Sequence, residues 1–241
     1  MLSALASCLP ALAATVTPLI PAQDARIEHA STHTGLQLSE PTPPASLLEA
    51  AMAGLPVLYD EAAEPGRILS AGHGWKADFG PSGLDYTPVL GKAAPVDQIT
   101  SFELRSVTLG GENYAYEPGV VGRSGDSVTL DRGTLREVYH LDKDIVEQTF
   151  VFDELPGPGD LVVEVAVKSP WAVEASDEAI RFVDPSFGEI SYGKAFAVDA
   201  NGWSIGISRE WIGDGIALTV PAAFLAEATL PITLDPPIGT G

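Results

Sequence analysis

Short runs of alternating hydrophobic and polar residues fill the chain from about residue 72 onwards, and glycine-rich turns separate them. The clearest run is "IVEQTFVFD" (145–153), in which every second residue falls on one face: Val146, Gln148, Phe150 and Phe152. Alternation with period 2 is typical of a β-strand that buries one face. About ten such runs, at spacings of roughly 8 to 15 residues, predict an antiparallel β-sandwich with almost no helix.

Turn residues between the runs support antiparallel hairpins. "WKADF" (75–79) is followed by "PSG" and then by "LDYTPVL", which predicts two strands joined by a tight turn. In "AFAVDANGWSIGI" (195–207), the dipeptide Asn201-Gly202 stands between two β-rich runs. Asn-Gly favours a two-residue hairpin turn because its central residues adopt positive φ.

The last part of the chain predicts the end of the sandwich. "PAAFLAEA" predicts a short helix near 221–227 that begins at Pro221, and "LPITLD" predicts a strand after it. Pro236 and Pro237 have no amide hydrogen for a ladder, so we expect the strand to stop there. The β-sandwich domain is therefore predicted over 72–236, and residues 237–241 are predicted to be a linker to further domains of the same polypeptide.

The first 71 residues have a different character. Residues 1–22 are apolar, small and uncharged apart from the amino terminus, which predicts a secretory signal cut after Ala13 or near Ala22. "LASC" (5–8) also matches the box before a lipidated cysteine, so lipidation of Cys8 is an alternative. Residues 23–71 are rich in proline, alanine, serine and threonine, which favours an irregular tether. Within it, Ser46 and Gly54 bound a possible short helix at 46–53.

Charge and cysteine content narrow the classes of function. The 241 residues carry 13 Lys and Arg against 33 Asp and Glu, a formal net charge of −20. Nucleic acids and anionic lipids require a basic face, so neither is an expected partner. Cys8 is the one cysteine, which leaves neither a disulfide framework nor a thiolate metal site.

Several segments together resemble a known kind of module. "YGKAFAVDANGW" (192–203) and "VPAAFLAEATLPITLDP" (220–236) look like the closing strands of N-terminal β-sandwich modules in large secreted, repeat-containing bacterial proteins. "WKADFGPSGLDYTPVLG" and "VEQTFVFDELPGPGDLVVEVAV" are similar to earlier strands of these modules, so the resemblance covers about 72–236. It implies an extracellular, multi-domain protein and no defined reaction, cofactor or catalytic residue.

The chain offers weak candidates for chemistry. His29 and His33 lie in the tether, and a metal site there would need a helix that Thr32, Thr34 and Gly35 disfavour. His73 stands near Asp78 and Asp85 in sequence, which allows a general-base arrangement, although a loop histidine at the start of a strand is the favoured interpretation. Segment 199–210 places Asp199, Asn201 and Glu210 at calcium-loop spacing. Trp203 and Ser204 occupy the positions of a ligand and of the required glycine, so a hairpin is the better interpretation.

Two hypotheses of function follow from the sequence. The first is a non-catalytic module of a secreted or cell-surface bacterial protein, with a spacer or docking role toward downstream domains or another surface protein. The alternative is a carbohydrate-binding or carbohydrate-active domain. In that case Trp203 and Trp211 would stack on sugar rings, or one of several nearby carboxylate pairs would cleave the glycan. No catalytic, metal or cofactor residue is predicted.

Overall fold

The computed structural model describes residues 57–62, 64–91, 94 and 96–240. The predicted signal at 1–22, Cys8, His29, His33 and the helix at 46–53 lie outside these residues. Within them, no helix is both long and apolar enough to cross a membrane.

The described part of the chain is almost entirely β-structure, as the alternation predicts. The strands, in chain order, are β1 (Leu58–Asp60), β2 (Ile68–Ala71), β3 (Trp75–Gly80), β4 (Gly83–Pro88), β5 (Thr100–Leu109), β6 (Glu112–Asn113), β7 (Val120–Ser124), β8 (Ser127–Asp131), β9 (Leu135–Leu141), β10 (Ile145–Phe152), β11 (Leu161–Lys168), β12 (Ala172–Ala175), β13 (Ile180–Asp184), β14 (Gly188–Tyr192), β15 (Phe196–Val198), β16 (Ser204–Gly206), β17 (Ser208–Trp211), β18 (Gly215–Val220), β19 (Ile232–Asp235) and β20 (Pro237–Thr240).

These strands form two antiparallel sheets. Sheet 1 has the order β1-β2-β3-β4-β5-β11-β18-β17, with β6 paired to β5. Sheet 2 has the order β12-β13-β14-β20-β10-β19-β15-β16, and β9, β8 and β7 extend it from β10. The predicted hairpins are present: β3 pairs with β4, and β15 pairs with β16 around Asn201-Gly202. The second turn is longer than the two residues expected, because the N–H of Asp199 donates to the carbonyl oxygen of Trp203 at 2.9 Å and residues 200–202 form the loop. The predicted all-β, antiparallel sandwich is confirmed.

Aromatic side chains from both sheets meet in the core. Phe79 of sheet 1 contacts Tyr139 of sheet 2, with ring centroids 4.9 Å apart. Phe102 of sheet 1 stacks on Tyr192 of sheet 2 at 5.8 Å. These rings are fully buried. Removing an apolar side chain of this size from water contributes roughly 1.5–3 kcal/mol, so these contacts stabilise the stacking of the sheets.

The sandwich begins earlier than the sequence predicts. Strands β1 and β2 lie inside the predicted tether, yet β2 pairs with β3 from Ile68 opposite Phe79 to Ala71 opposite Lys76. Strand β1 then pairs with β2. The tether prediction is therefore wrong for these two strands. Both are short, and β1 has no alternation long enough to recognise in a proline- and alanine-rich context.

The sandwich also extends beyond the predicted end. Strand β20 (Pro237–Thr240) lies between β10 and β14, and Ile238 is fully buried. The linker prediction is therefore wrong for residues 237–240. Strands β19 and β20 keep one register along β10, from Ile232 opposite Phe152 to Gly239 opposite Ile145.

Pro236 and Pro237 lie where β19 gives way to β20, and both strands pair with β10. The prolines are tolerated there because the strand on the other side changes at the same point. Strand β15 pairs with β19, whereas β14 pairs with β20. Pro236 and Pro237 lie at the change from one partner to the other, where a continuous ladder of amide donors is not needed. The N–H of Gly193, between β14 and β15, donates to the carbonyl oxygen of Pro237 at 2.9 Å.

In the part of the chain that the structure describes, one short α-helix, α1 (Ala222–Leu225), precedes β19. Pro221 is its N-cap, and the carboxylate of Asp160 accepts a hydrogen bond from the N–H of Ala222 at 2.7 Å. An acceptor at this position satisfies a helix-end donor that has no partner within the helix. Phe224 is buried. The predicted helix is present and is shorter than the predicted range of 221–227.

Candidate functional site

A groove lies on the outer face of sheet 1, across β1, β2, β3 and β4. Its volume is about 420 Å³, within the range of small-ligand and peptide sites. Apolar side chains line part of it and remain exposed to solvent: Leu58 at 54%, Leu69 at 37% and Ile99 at 48%. Residues that alternate with the core positions of the same strands thus form an outward-facing apolar surface.

Two carboxylates lie in this groove, directly opposite each other on neighbouring strands. Asp78 of β3 pairs in register with Asp85 of β4. The guanidinium of Arg67 lies 2.8 Å from Asp78 and 3.5 Å from Asp85. The hydroxyl of Ser101 donates to Asp85 at 2.6 Å. Hydrogen bonding to Asp78 raises the pKa of Arg67 further above its ordinary value. Arg67 is therefore charged, and this one cation pairs with both carboxylates.

A second ion pair lies beside the first. The ammonium of Lys76 is 2.8 Å from the carboxylate of Asp97, and both side chains are about half-exposed. Exposed pairs of this kind contribute about 0–1 kcal/mol. This pair matters mainly for the charge of the groove, because the carboxylate of Asp97 balances the positive charge of Lys76.

One side of the groove is supported by sheet 2. The guanidinium of Arg123 stacks over the ring of Tyr59 at 4.3 Å, and the Tyr59 hydroxyl donates to Asp126 at 3.3 Å. Burial and the nearby Asp126 raise the pKa of Tyr59 to about 12. Tyr59 is therefore a neutral hydrogen-bond donor at physiological pH, and one face of its ring is already covered.

A row of polar side chains crosses the outer face of sheet 2. Ser127, His140 and Glu147 are directly opposite one another on β8, β9 and β10. The Ser127 hydroxyl lies 2.9 Å from Nδ1 of His140. On the next strand, β19, the carboxyl of Asp235 is hydrogen-bonded to that of Glu147.

The carboxyl of Asp235 binds its proton more tightly than a free aspartate does. Burial, followed by the charge and the hydrogen bond of Glu147, raises the pKa of Asp235 to about 6. The Oδ1 atom of Asp235 is shielded from water and has no donor among the described residues. A carboxylate in such surroundings is disfavoured, and the protonated form is the stable one below that pH.

A second polar network is sealed inside the sandwich. Arg132 and Glu137, 2% and 0% exposed, form an ion pair at 2.7 Å. The other carboxylate oxygen of Glu137 accepts hydrogen bonds from the Tyr139 hydroxyl and from Gln148, which in turn accepts one from Tyr192. Burial raises the pKa of both tyrosines well above the usual value.

This network also joins the two sheets. Arg132 donates to the carbonyl oxygens of Pro81 and Ser82 in the β3–β4 turn, each at 3.0 Å. A buried ion pair is tolerated only when its remaining donors and acceptors are satisfied, and they are satisfied here. The sequence carried a signal for it, since Glu137 and Gln148 occupy inward positions of alternating strands.

The surface histidines have local partners. Nδ1 of His73 is 3.7 Å from the carboxylate of Asp144, and both groups are about half-exposed. Asp78 and Asp85, which the sequence suggested as partners of His73, instead share Arg67. His73 lies in the β2–β3 loop, so the loop interpretation fits its position.

The segment with calcium-loop spacing is the predicted hairpin. Oδ1 of Asp199 accepts hydrogen bonds from the N–H groups of Asn201 and Trp203, each at 2.8 Å. Oδ2 accepts one from the N–H of Thr229 at 3.0 Å. These bonds, that of Thr229 first, lower the pKa of Asp199. Its oxygen atoms are therefore used by the turn.

The two candidate tryptophans lie in different sheets. Trp203 directly precedes β16 in sheet 2, is 43% exposed and packs against Phe224 with centroids 4.5 Å apart. Trp211 ends β17 in sheet 1 and contacts Phe182 edge-on at 5.9 Å. Neither lines the groove on sheet 1. Their predicted role in ligand binding stays a prediction.

Across residues 57–62, 64–91, 94 and 96–240, no group of three or more His, Cys, Asp or Glu side chains is arranged to hold a metal ion.

No protein-family model matches the chain, and searches among curated proteins and solved structures find no significant match.

Proposed function

We propose that the sandwich is a non-catalytic docking module of a larger secreted or cell-surface protein. The groove on sheet 1 supports this role, because it leaves Leu58, Leu69 and Ile99 exposed beside ordered ionic side chains. Exposed apolar side chains that cluster in a concave surface are typical of interaction sites.

The arrangement of the polar clusters favours docking over catalysis. The Arg132–Glu137 network is enclosed in the core, where no substrate can reach it. The carboxyls of Glu147 and Asp235 are in hydrogen-bond contact. Glycoside hydrolysis needs two carboxyls roughly 5–9.5 Å apart, with the sugar or water between them. This pair is too close for that mechanism.

An extracellular location is supported by the sequence. The apolar segment 1–22 and the net charge of −20 fit an exported protein. The test is expression with residues 1–71 intact in a bacterial host, followed by fractionation and determination of the mature N-terminus. An uncleaved chain that remains with the cytoplasm would contradict the proposal.

A second candidate function is carbohydrate binding through Trp203. Its side chain is 43% exposed, and Phe224 holds the ring in a fixed orientation. Exposed, fixed indole rings are suited to stacking on other planar or apolar faces. A glycan array with the parent and with Trp203→Ala tests this alternative, which requires binding that the substitution abolishes.

The docking role is tested by a thermal-shift screen with defined peptides, polysaccharides and Ca²⁺. Leu69→Glu places a charge on the groove without touching the core, since Leu69 points outward. We expect a stabilising ligand of the parent to lose its effect on this variant. If every stabilising ligand acts equally on both proteins, the groove is not a docking site.

A further inference from the structure

We infer that the groove on sheet 1 binds an extended peptide that carries lysine or arginine next to aliphatic residues. This inference rests on the proposed docking role and adds the chemical class of the partner. Three features of the groove support it: its charge, its apolar surface and the strand that borders it.

The ionic groups of the groove leave an excess of negative charge. Asp78 and Asp85 share the single guanidinium of Arg67, and Lys76 is engaged by Asp97. Among the described residues, the three carboxylates of Asp78, Asp85 and Asp97 thus stand against two cations, so a cationic ligand gains attraction from the groove.

The apolar surface of the groove suits the stems of basic side chains. Leu58 and Leu69 flank the carboxylates, because Leu69 pairs in register with Asp78. Lysine and arginine cover apolar surface with their methylene groups while the charged ends reach carboxylates. A ligand that alternates basic and aliphatic residues therefore matches both parts of the groove.

A strand edge borders the groove. Strand β1 is the last strand of sheet 1 on this side, and among the described residues it pairs only with β2. No described strand pairs with the other edge of β1, and an extended peptide can bind at such an edge by adding a strand. Main-chain hydrogen bonds would supply affinity, and side chains in the groove would supply specificity.

Charge argues against three other occupants of the groove: a second copy of the chain, residues 1–56 and nucleic acids. A second copy brings the same net charge of −20. Residues 1–56 carry four carboxylates, Asp24, Glu28, Glu40 and Glu49, against the single Arg26. Nucleic acids are polyanions. A separate basic peptide segment is therefore the partner with complementary charge.

The experiment measures binding of a short synthetic peptide of alternating lysine and leucine to the full chain by isothermal titration calorimetry. The test variant is Asp78→Asn/Asp85→Asn, and the matched control is Asp153→Asn/Glu154→Gln, which changes the net charge equally at exposed sites after β10. We expect the test variant to raise the Kd at least tenfold and the control to change it less than about twofold. Binding should weaken as the salt concentration rises.

Three outcomes would overturn the inference. They are equal weakening by the control variant, equal binding of a peptide with glutamate in place of lysine, and a parent protein that does not bind the peptide. Thermal unfolding of each variant checks that it is folded. Leu69→Ser is a second test variant that leaves the carboxylates intact, and it should also weaken binding.

The same experiment separates this inference from the docking role itself. If a polysaccharide or a neutral peptide binds the parent and Leu69→Glu abolishes that binding, the groove docks a ligand of another class. The docking role then stands and the basic-peptide inference is wrong. If Leu69→Glu changes no interaction, both are wrong.

Discussion

The carboxyl of Asp235 lies beside that of Glu147 on the outer face of sheet 2, at the end of β19 and directly before Pro236 and Pro237. Burial and the neighbouring carboxyl of Glu147 raise the pKa of Asp235 from 3.8 to about 6. Because a raised pKa means that the folded state binds the proton more tightly, this pair links stability to pH.

We expect Asp235→Asn to stabilise the protein at pH 7 and above. The contribution of the protonated Asp235 to the free energy of unfolding is complete below about pH 4 and is lost as the pH rises through about 6. Since the side chain is partly exposed, the difference should be about 1–2 kcal/mol. Urea unfolding of parent and variant at pH 4, 6 and 8 measures it. Parallel pH profiles would contradict the raised pKa of Asp235, and Asp153→Asn is the surface control.

Breaking the internal ion pair should have a larger effect. Glu137→Gln leaves the buried guanidinium of Arg132 without its anion, which costs about 3–5 kcal/mol. The matched control is Asp153→Asn, which breaks the exposed pair with Arg136 and should cost less than about 1 kcal/mol. Chemical denaturation measures both. Similar unfolding midpoints for the two variants would show that the network is not important for stability.

A close approach of two glycines makes another position sensitive. A Cβ atom on Gly159 would lie 2.3 Å from Cα of Gly110, and the φ of Gly159 is 125°. Gly159→Ala should therefore destabilise the fold by more than about 2 kcal/mol. Gly157→Ala, in the same loop with open space around it, should have an effect within about 0.5 kcal/mol. Equal melting temperatures for the two variants would contradict this packing.

The final strand should be as sensitive as any other part of the core. Ile238→Ala removes a fully buried side chain from β20, with an expected cost of about 2–5 kcal/mol. Ile145→Ala, on the neighbouring strand, alters a side chain that is 43% exposed and should cost much less. Thermal unfolding compares them. A harmless Ile238→Ala would restore the interpretation of this segment as a linker.

The alternation of residues was sufficient to predict the fold class and several strands. In β10, the four residues that the sequence placed together on one face, from Val146 to Phe152, are all buried, and Asn201-Gly202 does lie between two paired strands. These features depend on local geometry, since period 2 and positive φ are properties of the strand and the turn themselves.

The ends of the domain were not predictable by the same means. Strand β1 has three residues, too few for periodicity to be recognised. Strand β20 begins at a proline. It pairs with β14, whereas β19, directly before it, pairs with β15, so the pairing depends on where β14 ends and β15 begins. That condition involves segments about forty residues away along the chain, which no local pattern contains.

The groove was also beyond prediction from the sequence. Asp78 and Asp85 were noted only as neighbours of His73, yet the register of β3 and β4 brings them together beneath Arg67. Leu58 joins them from a strand that the sequence assigned to the tether. A site assembled across four strands depends on register, and register follows from the packing of the whole sheet.

The position of the last strand has a consequence for biosynthesis. Strands β10 and β14 are made before β20, which fills the space between them. Until it emerges from the ribosome, sheet 2 has an open slot one strand wide, lined by unpaired backbone groups. Such a slot invites the equivalent strand of another nascent molecule, so slow synthesis or crowded refolding should favour strand-exchanged dimers.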